Sequence, residues 1–206
     1  MRVDIKRYVQ PLLFMLVLQA TTFFCFAQKQ KIGLKAGFLI SNNKVEYTNS
    51  NIGYPHEAKK GGLIGLVVDL PLSKKVSCRS GLELVIKGSK ERHRGSGFYG
   101  NYDFTISQPF LYLDVPLNLV YAIKSSKGKF IIGGGPAAGF YLGNSDRNYS
   151  LKVIDLGVNV VTGYEWPIGF FVNLNHARGL KNISEKEQFI SDFRNYYYGL
   201  SVGYFF

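Results

Sequence analysis

The fold of this chain is indicated most directly by residues 110–122, FLYLDVPLNLVYA. Between Leu111 and Tyr121 every second residue is large and apolar, whereas the intervening positions include Asp114 and Asn118. A period of two places these two sets of side chains on opposite faces of a β-strand. Because membrane-spanning strands need about 9–11 residues, the stretch predicts a strand long enough to cross a lipid bilayer.

The same alternation continues through the rest of the chain. It defines eight predicted strands, at residues 31–41, 62–70, 76–87, 110–122, 130–142, 151–166, 170–176 and 195–206. The connections at 42–61, 88–109, 143–150 and 177–194 are long and polar, and those at 71–75, 123–129 and 167–169 are short. This layout is typical of an all-β, eight-stranded antiparallel up-and-down transmembrane barrel, in which the periplasmic turns are short.

The N-terminal segment differs in composition from the predicted barrel. Arg2, Lys6 and Arg7 precede an uncharged, mostly apolar run at residues 11–26, and the small residue Ala27 follows. We interpret residues 1–27 as a secretory signal peptide and residues 28–206 as the barrel domain. The alternative is a transmembrane helix, but a run of about 17 residues is at the lower limit for spanning.

Overall composition limits the possible classes of protein. The 206 residues include 25 Lys and Arg against 14 Asp and Glu, 23 Gly and 15% aromatic residues. These values exclude a disordered tail, a coiled coil and a disulfide scaffold. The net charge of +11 would ordinarily suggest nucleic acid as a partner, but a secreted barrel does not meet cytoplasmic nucleic acid, so that class is excluded.

The two faces of the predicted strands have opposite character. One carries large apolar side chains and no Asp, Glu, Lys or Arg, and the other carries charges, amides and most of the glycines. A soluble, lipocalin-like barrel would have the apolar face inside. The interior of an eight-stranded barrel is only wide enough to be filled by side chains, so the large apolar side chains cannot fit there. In water, the apolar face would exceed the apolar patch that soluble monomers tolerate. The apolar face is therefore predicted to contact lipid.

Eight charged residues are predicted to share the interior of the barrel. Buried charges are costly unless they are paired, so we expect an ion network that closes the lumen, with Asp114 as the partner of Arg79. Two prolines, Pro116 and Pro136, fall inside predicted strands, and we expect a β-bulge at each. The predicted network comprises Lys35, Asp69, Arg79, Glu83, Lys87, Asp114, Asp155 and Glu165.

Several short motifs carry a family resemblance. They are Tyr112-Leu113-Asp114-Val115-Pro116, Gly135-Pro136, Asp155-Leu156-Gly157, Gly163-Tyr164-Glu165 and an aromatic C-terminus. Together they resemble the outer-membrane β-barrel domain family of the Bacteroidota, often labelled porin-family or PorT-type proteins. The resemblance implies a barrel similar to that of outer-membrane protein A, inserted by the barrel-assembly machinery, with no activity common to the family. Val202, Tyr204 and Phe206 resemble the assembly signal of such barrels.

The sequence offers little support for catalysis or for a cofactor. His56, His93 and His176 are far apart and have no metal-binding spacing. An outer-membrane lipid A deacylase is the main enzymatic alternative, and such enzymes carry Ser two residues after the catalytic His. Here Arg178 occupies that position after His176. We therefore expect a non-enzymatic protein without metal or cofactor.

A basic cluster in the predicted loop 88–109 is the remaining candidate for binding. Lys90, Arg92 and Arg94 could contact the phosphates of lipopolysaccharide, or they could belong to a solvated loop. We expect a structural or interaction barrel in the outer membrane of a Gram-negative bacterium, in contact with outer-membrane lipid, with a specific protein partner that the sequence does not identify. A narrow diffusion channel and an accessory component of a secretion system are the alternatives.

Overall fold

A computed structural model describes residues 30–47, 56–97, 100–144, 151–184 and 190–206. Eight antiparallel strands form a closed barrel in sequence order, which confirms the predicted fold class. The predicted signal peptide, residues 1–27, lies outside the described residues. The strands are β1 (Lys31–Tyr47), β2 (His56–Pro71), β3 (Val76–Gly97), β4 (Gly100–Ser125), β5 (Gly128–Asn144), β6 (Ile154–Glu165), β7 (Phe170–Gly179) and β8 (Ile190–Phe205).

Short turns join the strands at one end of the barrel, at residues 72–75, 126–127 and 166–169. Pairing of β1 with β8, from Gly33↔Phe205 to Tyr47↔Ile190, closes the ring. In the described parts of the chain, no helix has the length and apolar character needed to cross a bilayer.

The outward face of the barrel is apolar, as predicted. Leu84 is 44% exposed, Leu117 50% and Phe38 82%, and these side chains would be left in water if no lipid surrounded them. Near the short turns, Tyr164 packs edge-on against both Phe130 and Trp166, with ring centroids 4.8 Å apart in each pair. Such aromatic girdles mark the membrane interface of transmembrane barrels.

The inward face is less uniformly polar than the sequence indicated. Three apolar clusters are buried among the charges: Leu39, Leu63, Val85 and Tyr197; Val67, Phe171 and Phe205; and Val120, Ile131 and Val161. Glycines make room for these side chains. A Cβ atom at Gly203 would lie only 2.2 Å from Cζ of Phe171, so any other residue at 203 would displace that ring.

The bulges expected at Pro116 and Pro136 are absent, and that prediction is wrong. Pro116 pairs with Ala137 and Pro136 pairs with Val158, without a change of register on either side. The pairing of β3 with β4 and of β4 with β5 is instead interrupted for two residues next to Pro116 and then resumes in the same register. The hydroxyl of Ser80 donates to the carbonyl of Pro116 at 2.9 Å, so the prolines cost ladder hydrogen bonds and leave the register intact.

Residues 88–109, predicted as a loop, form most of a long β-hairpin. β3 pairs with β2 as far as His56↔Glu91, and β4 pairs with β5 as far as Phe110↔Asn144. Among the described residues, residues 92–97 pair only with β4, and residues 100–109 pair only with residues 88–97 of β3. At about 3.4 Å per residue, the segment 100–109 extends roughly 30 Å past the end of its pairing with β5. The hairpin therefore projects from the end of the barrel opposite the short turns.

The C-terminal residue helps to close the barrel. The backbone N–H of Phe206 donates to the carbonyl of Ile32 at 2.8 Å, and its side chain is 76% exposed on the outward face. Val202 and Tyr204 lie on the same face. We expect deletion of Phe206, or Phe206→Asp, to leave most of the protein unfolded in the periplasm, because both changes remove the lipid-facing aromatic and the predicted assembly signal.

Cell fractionation and heat-modifiable gel mobility measure this outcome. Phe206→Tyr keeps an aromatic ring at the terminus and is the matched control. Normal outer-membrane levels of the deletion variant would contradict the assembly role.

Candidate functional site

All eight charged residues predicted for the interior lie inside the barrel. None is more than 8% exposed. Three of them, Arg79, Glu83 and Lys87, lie four residues apart on β3, so each occupies a different depth along the same strand. Each is the centre of a separate group of ion pairs.

The group nearest the short turns is centred on Arg79. Its Nε lies 3.2 Å from Oδ1 of Asp69 on the neighbouring strand, and its Nη2 contacts the Glu165 carboxylate across the lumen. Lys129 also binds Glu165, at 2.9 Å. Asp114 is not a partner of Arg79, so that prediction is wrong. Asp114 lies on the adjacent strand β4, whereas one of the two carboxylates bound to Arg79 comes from β6, across the lumen.

Two further groups lie along β3, farther from the short turns. Lys35 Nζ is 2.7 Å from Oε1 of Glu83. Lys87 Nζ is 3.1 Å from Oδ1 of Asp114 and 3.7 Å from Oδ2 of Asp155. A Cβ atom at position 139 would lie 2.7 Å from Oδ1 of Asp114. Glycine at that position therefore provides the space that the Lys87 group occupies.

Little space remains between these groups. The cavity beside the Lys87 group has a volume of about 30 Å³, and the one beside Lys35 and Glu83 about 20 Å³. A water molecule needs about 10–15 Å³ of such volume, so each cavity holds one or two waters. The described lumen therefore has no room there for a hydrated solute.

The outer mouth of the barrel is closed by an apolar cap that the sequence did not reveal. Phe110, Tyr112, Leu151, Ile183 and Phe193 are all at most 5% exposed and pack together. Two of them come from the outer connections: Leu151 from the one between β5 and β6, and Ile183 from the one between β7 and β8. The backbone N–H of Ile183 donates to the carbonyl of Phe193 at 3.0 Å. Ile183 and Phe193 are single apolar residues in the polar connection predicted at 177–194, where they give no periodic signal, and Leu151 stands at the start of the strand predicted at 151–166.

A polar cluster lies beside this cap. Nδ1 of His56 is 3.0 Å from the hydroxyl of Ser89, and Glu91 lies 3.7 Å from Nε2 of His56 and 3.4 Å from Nε2 of His93. Burial lowers the pKa of His56, although Glu91 opposes the shift, so the imidazole is neutral at pH 7. The row of serine, imidazole and carboxylate resembles a hydrolytic arrangement, but Ser89 is fully buried and accepts a hydrogen bond from Asn43. The burial of Ser89 and its hydrogen bond to Asn43 support a structural role for this cluster.

The predicted basic cluster lies on the outward side of the projecting hairpin. Arg92 and Arg94 both donate to the carboxylate of Asp103 on the opposite strand, at 2.7 and 2.9 Å. These two hydrogen-bonding guanidinium groups hold the pKa of Asp103 far below its usual range. Lys90 is exposed nearby. The shared carboxylate offsets part of the positive charge, which weakens the case for phosphate binding at Lys90, Arg92 and Arg94.

The other side of the hairpin is apolar and half exposed. Tyr102, Phe104 and Ile106 are 49%, 51% and 38% exposed. The ring of His93 stacks on Phe104 with centroids 5.1 Å apart. The strand edge at 100–109 has no further strand partner among the described residues. An aromatic row beside an open strand edge is a surface that a partner chain can bind.

Within the described ranges, no three His, Cys, Asp or Glu side chains are arranged to hold a metal ion. The three histidines serve other contacts: His56 and His93 lie at the outer mouth, and Nδ1 of His176 lies 3.1 Å from the carbonyl of Tyr197. His176 and Arg178 both point outward from β7.

Comparison with known proteins supports this description of the fold. Among solved structures, OprG of Pseudomonas aeruginosa is similar, with a TM-score of 0.51 and 12% identity over 87% of this chain and 97% of that one. Neisserial surface protein A has a TM-score of 0.49 and 11% identity over 86% and 99% of the two chains. The outer membrane enzyme PagL has a TM-score of 0.47 and 11% identity over 81% and 98%. At 12% identity, the similarity to OprG shows the fold alone.

No curated protein matches the sequence. A family model, described as the outer membrane protein beta-barrel domain, matches residues 26–201. The match covers all eight strands except the last residues of β8. This chain therefore belongs to the outer membrane protein beta-barrel domain family, and it is a Gram-negative outer-membrane barrel.

Proposed function

We propose that the protein is a non-enzymatic barrel with a closed lumen that acts as a structural or interaction protein through its outer hairpin. The observation that carries this proposal is the exposed row of Tyr102, Phe104 and Ile106 on a hairpin that projects beyond the barrel. Exposed aromatic side chains are typical of interface centres. Outer connections are also where barrels of this kind carry recognition.

The closed lumen supports this function over a diffusion channel. Three groups of ion pairs fill successive depths, and the cap at Phe110, Ile183 and Phe193 covers the outer mouth. A porin needs a continuous aqueous path. The cavities beside the Lys35 and Lys87 groups, of about 20 and 30 Å³, are too small for such a path.

The short turns support a second candidate, an accessory role in protein secretion as the PorT-type resemblance implies. Lys74, Lys75, Lys124 and Lys127 are all exposed at this end of the barrel. Such a group of cations favours an acidic periplasmic partner. This candidate places the contact at the end of the molecule opposite the hairpin.

Site-specific photo-crosslinking in living cells separates the two interaction functions. We expect a photo-reactive amino acid at Phe104 to capture a partner, because that side chain lies on the apolar side of the hairpin. The same amino acid at Thr105, on the opposite side of the same strand, is the matched control and should capture less. With the probe at Tyr102, Phe104→Ser should reduce the yield several-fold.

A probe at Ser126, in a short turn, tests the secretion role. Adducts from Ser126 and none from Phe104 would replace the hairpin function with the periplasmic one. An absence of adducts at both positions would contradict an interaction function of either kind.

A further inference from the structure

An apolar groove of about 590 Å³ crosses the outward surface where β8 lies between β1 and β7. Phe38 and Ile40 line one side, Val160 and Leu174 line the other, and Leu200 lies between them. All five side chains face the lipid. A groove of this kind accommodates a hydrocarbon chain.

At its outer end, the groove meets a second, polar concavity of about 560 Å³. His176 and Tyr198 line both, with their rings stacked at 4.3 Å. Because a carbonyl oxygen only accepts hydrogen bonds, Nδ1 of His176 is the donor to Tyr197, 3.1 Å away. The ring is thus fixed by two contacts, and in this tautomer Nε2 can only accept a hydrogen bond.

Two cations that have no acidic partner among the described residues flank this junction. Among the described side chains, no acidic group forms an ion pair with Arg178 or with Lys60. By contrast, Lys44 and Arg194 in the same concavity are bound to Glu46 and Asp192, at 2.6 and 2.8 Å. The unpaired positive charge of the concavity is therefore concentrated on Arg178, with Lys60 at the other edge of the groove.

The register fixes the separation of the two cationic sites. Lys60, Ile40, Tyr198 and His176 lie on one row of neighbouring strands. Three inter-strand spacings of about 4.8 Å place the backbones of Lys60 and His176 roughly 14 Å apart. Arg178 lies two residues further toward the outer end of β7. An occupant with acyl chains below and more than one anionic group above matches this arrangement.

We propose that this face binds one molecule of lipopolysaccharide through its acylated, phosphorylated disaccharide anchor. An acyl chain lies in the groove, Arg178 holds one phosphate, and Lys60 holds the second. A guanidinium group binds phosphate in a bidentate manner, and tyrosine side chains suit the headgroup level. This site differs from the Lys90, Arg92 and Arg94 cluster, where Asp103 already occupies both guanidinium groups.

The experiment uses the full barrel purified from outer membranes, and native mass spectrometry counts bound lipid. The probes are the diphosphorylated disaccharide anchor, its dephosphorylated form with the same acyl chains, and phosphatidylglycerol. We expect one molecule of the diphosphorylated anchor to bind, at least tenfold more tightly than either other lipid. Arg178→Gln should weaken this binding about tenfold, and Lys60→Gln should weaken it to a smaller extent.

Two variants complete the design. Arg94→Gln, on the hairpin, removes the same charge elsewhere and should bind the anchor as the wild type does. Val160→Trp fills the groove without changing charge and should weaken binding. Equal binding of the dephosphorylated anchor or of phosphatidylglycerol, or equal losses in Arg178→Gln and Arg94→Gln, would overturn the proposal. Unchanged binding by Val160→Trp would contradict the acyl groove.

Discussion

Arg79→Ala should lower the free energy of unfolding by about 3–5 kcal/mol, because it removes the cation that two buried carboxylates share and leaves Asp69 without an ion pair. Asp69 and Glu165 are only 2% and 3% exposed. After the substitution, Asp69 keeps a hydrogen bond from Ser77, and Glu165 keeps Lys129. Urea titration of the protein folded into lipid vesicles measures the change. Arg94→Ala removes an exposed arginine and is the matched control. Equal midpoints for the two variants would show that the buried pair contributes nothing to stability.

The same variant tests how the lumen is closed. Arg79→Ala removes charge and side-chain volume from the lumen, and both losses favour a leak. The cap adds a second closure at the outer mouth, so conduction should require both closures to fail. In planar bilayers, the wild type and Arg79→Ala should conduct poorly, and Arg79→Ala combined with Ile183→Ser and Phe193→Gly should conduct. A steady, large conductance of the wild type would favour a diffusion channel.

Leu117→Arg should impair insertion and cost about 2–4 kcal/mol, the range for arginine facing lipid near the middle of the bilayer. Leu117 lies midway along the outward row of β4 that runs from Leu111 to Ile123, and it is 50% exposed. Leu84→Arg, on the neighbouring strand, should act in the same direction. Folding yield in lipid vesicles, followed by gel mobility, measures the effect.

Thr105→Arg is the matched control, because it lies on the same face of β4 in the projecting hairpin. Inward Val85 is a less suitable control for a bulky substitution. Val85 is fully buried in an apolar cluster with Leu39, Leu63 and Tyr197. Equal folding of Leu117→Arg and Thr105→Arg would contradict the assigned faces.

Alternation alone was sufficient to predict the number of strands, their order and their faces. It succeeded because lipid imposes one polarity on every outward side chain over the whole width of the membrane. The eight inward charges could be predicted from the same rule, because residues such as Lys35 and Glu165 occupy the positions that alternate with the apolar, lipid-facing ones.

Alternation failed where that rule does not apply. In the hairpin above the membrane, both faces can be polar, so the strand from Arg92 to Gly97 gave no signal. The partners of Arg79 depend on which strands face each other across the lumen, and alternation within one strand does not encode this. The contact between Arg79 and Glu165 joins residues that are 86 positions apart.

The spacing of Arg79, Glu83 and Lys87 along β3 has a consequence for how the barrel selects its register. A slip of one residue would turn the apolar face inward, and lipid forbids it. A slip of two residues preserves both faces, so the apolar pattern cannot detect it. Such a slip would move each of the three side chains about 7 Å along the strand, away from partners of opposite charge that are bound at 2.7 to 3.2 Å. We infer that these buried charges fix the shear of the barrel, and with it the tilt of the strands and the diameter of the ring.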